Sequence, residues 1–244
     1  MEIKNIFKKI GIKKNDTVIL HGDAGVVAQL KTKKNKLNFF FDKLIQILGK
    51  NGNILVPAFT YSSCKKKYFD KKKDNSEIGL FSEVFRKRKK VRRTEHPIFS
   101  FCVHGKKFSY FNKASLSTCF GKNSIFELFL KSNAKILCLG CSLDRITFTH
   151  YAEELIKVDY RFYKIFKIFC KANRKIISTE YFVRKPNIRN NINLDILYKY
   201  LKKKNRIKEN NFGRYKVISV QSKSFFKSCL ELLKKNKYSL IKRN

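Results

Sequence analysis

The chain has 244 residues, with 56 Lys and Arg against 18 Asp and Glu, and a formal charge of +38. A hydrophobic content of 43% is too high for intrinsic disorder, and only 10 Gly and 3 Pro exclude collagen-like and Pro-rich classes. The length suits one domain with a sizeable core, and no apolar run approaches the ~20 residues that cross a bilayer.

Ile3, Ile6, Phe7 and Ile10 recur at helical spacing, so residues 2–10 are expected to form a short amphipathic helix ended by Gly11. Val18, Ile19 and Leu20 form a buried strand that runs into the turn His21-Gly22-Asp23. Residues 37–50 carry Phe40, Phe41, Leu44, Ile45 and Leu48 on one helical face, and Asn51-Gly52 makes the next turn. A second β-branched strand, 53–61, is bent near its end by Pro57. A helix is expected over 80–90, and a strand over 98–103 after His96-Pro97, since the residue before proline is biased away from helix. Residues 121–132 read as a helix capped at Asn123 or Ser124. Residues 134–142 contain the strongest strand, followed by a loop and helix over 143–157. Beyond 160 come two strands joined near Ala172–Arg174, a helix at 193–203, a strand at 213–220 and a helix at 222–235.

Alternating strands and helices predict an α/β protein, a single domain over 1–244 with its core in 12–160 and a smaller C-terminal subdomain in 161–244. The N-terminus lacks an apolar signal core, so a soluble, cytoplasmic chain is expected. Seven Cys, an odd number scattered partly through apolar strands, argue against a disulfide framework. Lys is spread along the whole chain. The densest stretch, 65–93, has 13 Lys and Arg against 4 Asp and Glu. Abundant Lys, Asn, Ile and Phe match the drift of an AT-rich genome, so most of this charge reads as solvated surface. The surface still favours anionic ligands over polycations. A non-catalytic basic nucleic-acid-binding protein is the competing reading.

The four His are 21, 96, 104 and 150. The richest constellation runs from Asp144 through Thr147 and His150 to Glu153. His150 and Glu153 are three apart, hence on one helical face. A carboxylate there is expected to raise the imidazole pKa and fix its tautomer. On spacing alone the pair is either a base with its orienting carboxylate or a solvated helix pair. Zinc-peptidase motifs fail because position 154 is Glu, and Cys138-Leu-Gly-Cys141 lacks a second ligand pair for zinc. The hydrolase elbow, the P-loop and the dinucleotide fingerprint are also missing.

Several motifs recur in a fixed order. They are His21-Gly-Asp23, Pro57-Ala-Phe-Thr60-Tyr61, Arg93-Thr-Glu-His96-Pro97-Ile-Phe-Ser100-Phe, Phe120-Gly121-Lys-Asn-Ser124, and Asp144…Thr147…His150-Tyr-Ala-Glu153. In this order and at these separations the chain resembles the aminoglycoside 3-N-acetyltransferase family from about residue 15 to 155, with a weaker tail to 240. The resemblance implies a layered α/β/α sandwich around a central mixed sheet, the antibiotic N-acetyltransferase fold, distinct from GCN5-type acetyltransferases. It implies transfer from acetyl-CoA to an amine, without a metal.

By that resemblance His150 is the general base and Glu153 its partner, with Thr147 and Ser100 as oxyanion donors. His21, Gly22, Asp23, Arg93, His96, Ser100 and Ser124 would meet the CoA donor. Thr60, Tyr61, Asp144 and Glu180 would meet the amine. The aminoglycoside-modifying members carry an acidic segment after the His-x-x-Glu helix. Here that stretch has Glu180 as its only carboxylate, followed by Arg184 and Lys185. The expected acceptor is therefore an amino sugar on an anionic nucleotide carrier rather than an aminoglycoside. The expected partner is a small molecule, not a nucleic acid or a membrane, and a homodimer is one assembly the chain could form.

Overall fold

The computed structural model describes residues 3–33, 35–186 and 193–242. In chain order the first half holds α1 (Ile3–Lys9), β1 (Thr17–Gly22), α2 (Ala24–Ala28), α3 (Lys36–Leu48), β2 (Asn53–Pro57), α4 (Ser63–Lys66), β3 (Tyr68–Phe69), α5 (Leu80–Arg86), β4 (Val91–Arg93) and β5 (Phe101–His104). The second half holds α6 (Phe108–Asn112), α7 (Ile125–Ser132), β6 (Lys135–Leu139), α8 (Thr149–Ile156), β7 (Arg161–Cys170), β8 (Lys175–Arg184), α9 (Asp195–Lys203), β9 (Ile207–Phe212), β10 (Tyr215–Gln221) and α10 (Ser222–Lys235).

Seven strands form one mixed sheet in the order β4-β5-β2-β1-β6-β10-β9. β1 runs parallel to β2 and β6, and the outer pairings are antiparallel. The central strands are apolar on both faces because both are covered. Ile19, Leu55, Ile136 and Cys138 point into the core shared with α7, α8 and α10. Val18, Leu20, Ile54, Val56, Leu137 and Leu139 point into the core shared with α1, α3 and α5. Period-2 alternation thus divides one buried strand between two helical layers, and the result is the layered sandwich. β3, β7 and β8 make a second, three-stranded sheet.

The structure revises several boundaries. Within 161–244, β10 pairs directly with β6, Val217 opposite Leu139, and extends the central sheet. The loop and helix expected over 143–157 are present. A 3₁₀ turn at Leu143–Arg145 precedes α8, which starts only at Thr149. β5 starts at Phe101 rather than Ile98, although Ile98 and Ser100 still accept hydrogen bonds from Thr60 and Ala58. The helix expected over 80–90 ends at Arg86, before the turn that reaches β4.

Candidate active site

The parallel strands β1, β2 and β6 all end on one side of the sheet, where open α/β folds leave a crevice. A cleft of about 650 Å³ opens there. His21, Gly22 and Asp23 come from the end of β1, and Tyr61 from the loop after β2. Asp144, Thr147 and His150 come from the loop and helix after β6. Glu77 and the start of α5, with Gly79, Leu80 and Phe81, close the other wall.

His150 sits on the first turn of α8. Its Nδ1 lies 2.6 Å from Glu153 Oε2, one helical turn on. Glu153 is 1% exposed. Its other oxygen accepts a 2.7 Å hydrogen bond from Tyr160 Oη, and Arg161 Nη2 stands 2.9 Å from Oε2. Arg161 Nη2 is also 2.8 Å from His150 Nδ1. A guanidinium and a protonated ring nitrogen are both donors, and the carboxylate is the one acceptor between them. The consistent arrangement puts the proton on Nδ1, directed at Glu153, and leaves Nε2 unprotonated, with Arg161 Nη2 3.5 Å from it.

The electrostatics correct one expectation. The Glu153 carboxylate does pull the His150 pKa up, but it does not prevail. Burial and then the nearby Arg161 charge outweigh it and push the imidazole down to about 4. Burial also works against the Glu153 carboxylate, but His150, Arg161 and Tyr160 overcome it and hold its pKa at about 2. At neutral pH the site is therefore a neutral imidazole on an ionised carboxylate, backed by an arginine.

His21, Gly22, Asp23, Tyr61, Asp144, Thr147 and His150 share the cleft. The other sequence-derived candidates do not line it. Arg93 is buried beneath the sheet end. It donates to Ser100 Oγ at 2.9 Å, to Thr60 Oγ1 and to the carbonyls of Ala58 and Asp74. It clamps three chain segments from a buried position, with four of its five N–H donors engaged. Ser100 gives its hydroxyl proton to Ala58 O at 2.7 Å, so it is not an oxyanion donor. Thr60 is 1% exposed and belongs to the same clamp.

His96 is a packed imidazole. Its Nδ1 accepts from the amides of Ile98 and Phe99, at 3.2 and 3.0 Å, and Nε2 donates to Thr118 O at 3.2 Å. Burial lowers its pKa to about 4. Ser124 caps α7 by accepting from Glu127 N, while Glu127 accepts from the amide of Asn123, the residue before the cap. Glu180 is exposed on β8, where its backbone pairs with Ser117 and Cys119.

Sequence reasoning missed Tyr160, Arg161, Glu77 and Arg145. Tyr160 and Arg161 lie just beyond α8, and only the fold back into β7 brings them under Glu153. Glu77 and Arg145 line the cleft. Glu77 accepts from the Ser62 amide at 3.1 Å, which fixes the loop carrying Tyr61. Among the described residues no group of three or more His, Cys, Asp or Glu could hold a metal ion. No helix among them is long and apolar enough to cross a membrane.

The family model for aminoglycoside 3-N-acetyltransferases matches residues 19–234. Solved structures share the fold. Aminoglycoside acetyltransferase AAC(3)-IVa, as apoenzyme, has a TM-score of 0.79 at 18% identity, covering 97% of this chain and 88% of that one. AAC-IIIb, in a binary complex with CoASH, has a TM-score of 0.81 at 18% identity, covering 95% and 94%. YokD from Bacillus subtilis has a TM-score of 0.79 at 18% identity, covering 96% and 93%. None of the curated proteins matches the chain.

Proposed function

The chain belongs to the aminoglycoside 3-N-acetyltransferase family, and we propose that it moves the acetyl group of acetyl-CoA to the amine of an amino sugar, with His150 as general base. One observation carries the assignment. An imidazole on the wall of a cleft is held through Nδ1 by a buried carboxylate, so its Nε2 is a fixed, neutral proton acceptor.

The cleft suits the donor. Its volume falls within the ~300–1,000 Å³ of small-molecule sites. Leu80, 63% exposed, offers an apolar surface to the pantetheine arm. Gly79 lines the same wall at φ +113°, with no atom within 4 Å of where a Cβ would stand. Backbone can therefore come close to a ligand there. Arg145 is the group suited to the donor's phosphates.

The amine attacks the thioester carbon in its neutral form. As the new C–N bond forms, its N–H proton passes to His150 Nε2, and the imidazolium is stabilised by Glu153. The C–S bond breaks, and the proton goes on to the departing thiolate as CoA leaves. Thr147, which lines the same cleft three residues before His150, is the donor assigned here to the carbonyl oxygen as charge grows on it.

Two features bear on the acceptor. Asp23, Glu77 and Asp144 give the cleft carboxylates that the segment after α8 lacks, and these suit an incoming ammonium. The chain's +38 charge favours an acceptor that also carries anionic groups, such as a nucleotide-linked amino sugar, over a polycation. Purified protein offered acetyl-CoA with each class, read by thiol release, tests this. Faster turnover of the nucleotide-linked amine is expected. Turnover of kanamycin-type amines alone would overturn the acceptor, and no thiol release with any amine would overturn the transfer itself.

A further inference from the structure

Cys138 and Cys141 take no part in acetyl transfer as derived above. Cys138 is the fourth residue of β6, opposite His21 of β1 and Ile218 of β10. Leu139 ends the strand, and Gly140 turns the chain at φ +67°, with Val26 so close that a Cβ would meet it at 1.9 Å. This turn brings Cys141 back onto the same core cluster that holds Cys138. Cys141 Sγ donates to the carbonyl of His21, the residue that stands opposite Cys138 across β1 and β6, so the two thiols sit beside the same residue.

Their surroundings differ. Cys138 is 1% exposed. Cys141 is partly exposed, lines the cleft beside His21 and Asp144, and donates to His21 O at 3.5 Å. The neighbouring Cys138, and then the Leu139 backbone and the charge of Arg145, draw the Cys141 thiol below its ordinary pKa against the opposing effect of burial. The proximity of Cys141 and burial push Cys138 well above. An accessible, more acidic thiol in front of a buried one is the arrangement of an attacking and a resolving cysteine. Cys64 is a useful contrast. It is also partly exposed, but burial pushes its thiol up to about 11.

We propose that Cys141 and Cys138 form a redox-active dithiol that is oxidised by low-molecular-weight disulfides entering the cleft. The Cys141 thiolate attacks one sulfur of the disulfide RSSR. The S–S bond breaks, a mixed disulfide forms on Cys141, and the first RS⁻ leaves and takes up a proton. Cys138 loses its proton and attacks the Cys141 sulfur, which forms the Cys138–Cys141 bond and releases the second RSH. Two protein thiols are oxidised and one small disulfide is reduced to two thiols, with no other reactant. CoA disulfide and glutathione disulfide both belong to this class. The assignment rests on the thiol pair alone and does not depend on which amine is acetylated.

The test incubates the folded, full-length protein with glutathione disulfide, quenches in acid, alkylates the remaining thiols and maps them by mass spectrometry. Of the seven thiols, the wild type should lose two, hold no glutathione, and show a peptide linking Cys138 to Cys141. Cys138→Ser and Cys138→Ala should each retain one glutathione on Cys141, released by dithiothreitol. Cys141→Ser should take up glutathione at Cys138 at least about tenfold more slowly than Cys138→Ser does at Cys141. A wild type that keeps all seven thiols would overturn the proposal. So would a bridge between other cysteines, or a Cys138→Ser variant that carries its glutathione elsewhere.

Discussion

Glu153 joins function and stability in one side chain. Arg161, 3% exposed at its side chain, has this carboxylate as its ion-pair partner, and Tyr160 gives Glu153 its hydroxyl proton. Removing one member of a buried pair leaves the other charge uncompensated. Glu153→Ala is therefore expected to cost about 3–5 kcal/mol in denaturant unfolding, and a loss under about 1 kcal/mol would show that Arg161 needs no partner. Glu153→Gln should fold better yet lose turnover, because an amide no longer stabilises the imidazolium. The pH–rate profile is expected to follow the acceptor. His150, with its pKa near 4, is already neutral above pH 5, so the rise of kcat/KM toward alkaline pH should track the basicity of each amine offered. An acceptor-independent limb near the ordinary histidine value of 6.5 would contradict this. The His150–Glu153 pair was legible in the sequence because helical spacing puts residues three apart on one face. The arginine behind it was not, since its place depends on how the chain turns between α8 and β7.

Among the elements, those with regular apolar spacing were readable and those held by tertiary pairing were not. β6, α3 and α10 carry their patterns in the sequence. β9 (Ile-Lys-Glu-Asn-Asn-Phe) has no strand pattern, and it is a strand only because β10 offers it an edge. β3 is two residues long and exists through Phe169 and Cys170 of β7. The same distinction explains the misplaced site residues. Arg93, Ser100, Thr60 and Ser124 sit in segments that resemble the family's motifs, but here they hold elements together. Ser124→Ala removes the cap of α7 and is expected to cost about 0.5–2 kcal/mol, with KM for acetyl-CoA unchanged. A raised KM at unchanged stability would return Ser124 to the donor site.

For the whole molecule the fold class and the order of segments were legible, while the closing of the central sheet by the C-terminal strands was not. Its buried histidines give it a characteristic pH response. His21, His96 and His150 all have folded pKa values near 4, against 6.5 when unfolded. The unfolded chain thus takes up protons at these sites as pH falls below 6.5, and stability drops from there toward pH 4. Glu154 opposes this. Burial and then Glu180 raise it to about 7, so it favours the folded state below that pH, through the range in which the unfolded carboxyl is ionised. Three imidazoles outweigh one carboxyl, and the unfolding free energy should rise from pH 5 to pH 7. A flat or falling profile would contradict the burial of these rings. The central claim, that His150 is the base of an acetyl transfer, is tested most directly by acetyl-CoA-dependent thiol release from His150→Ala beside the wild type, with the melting temperature of each recorded with and without acetyl-CoA. The variant should keep the donor-induced rise in melting temperature and lose turnover by about 10²–10⁴. A variant that turns over at the wild-type rate would contradict the assignment.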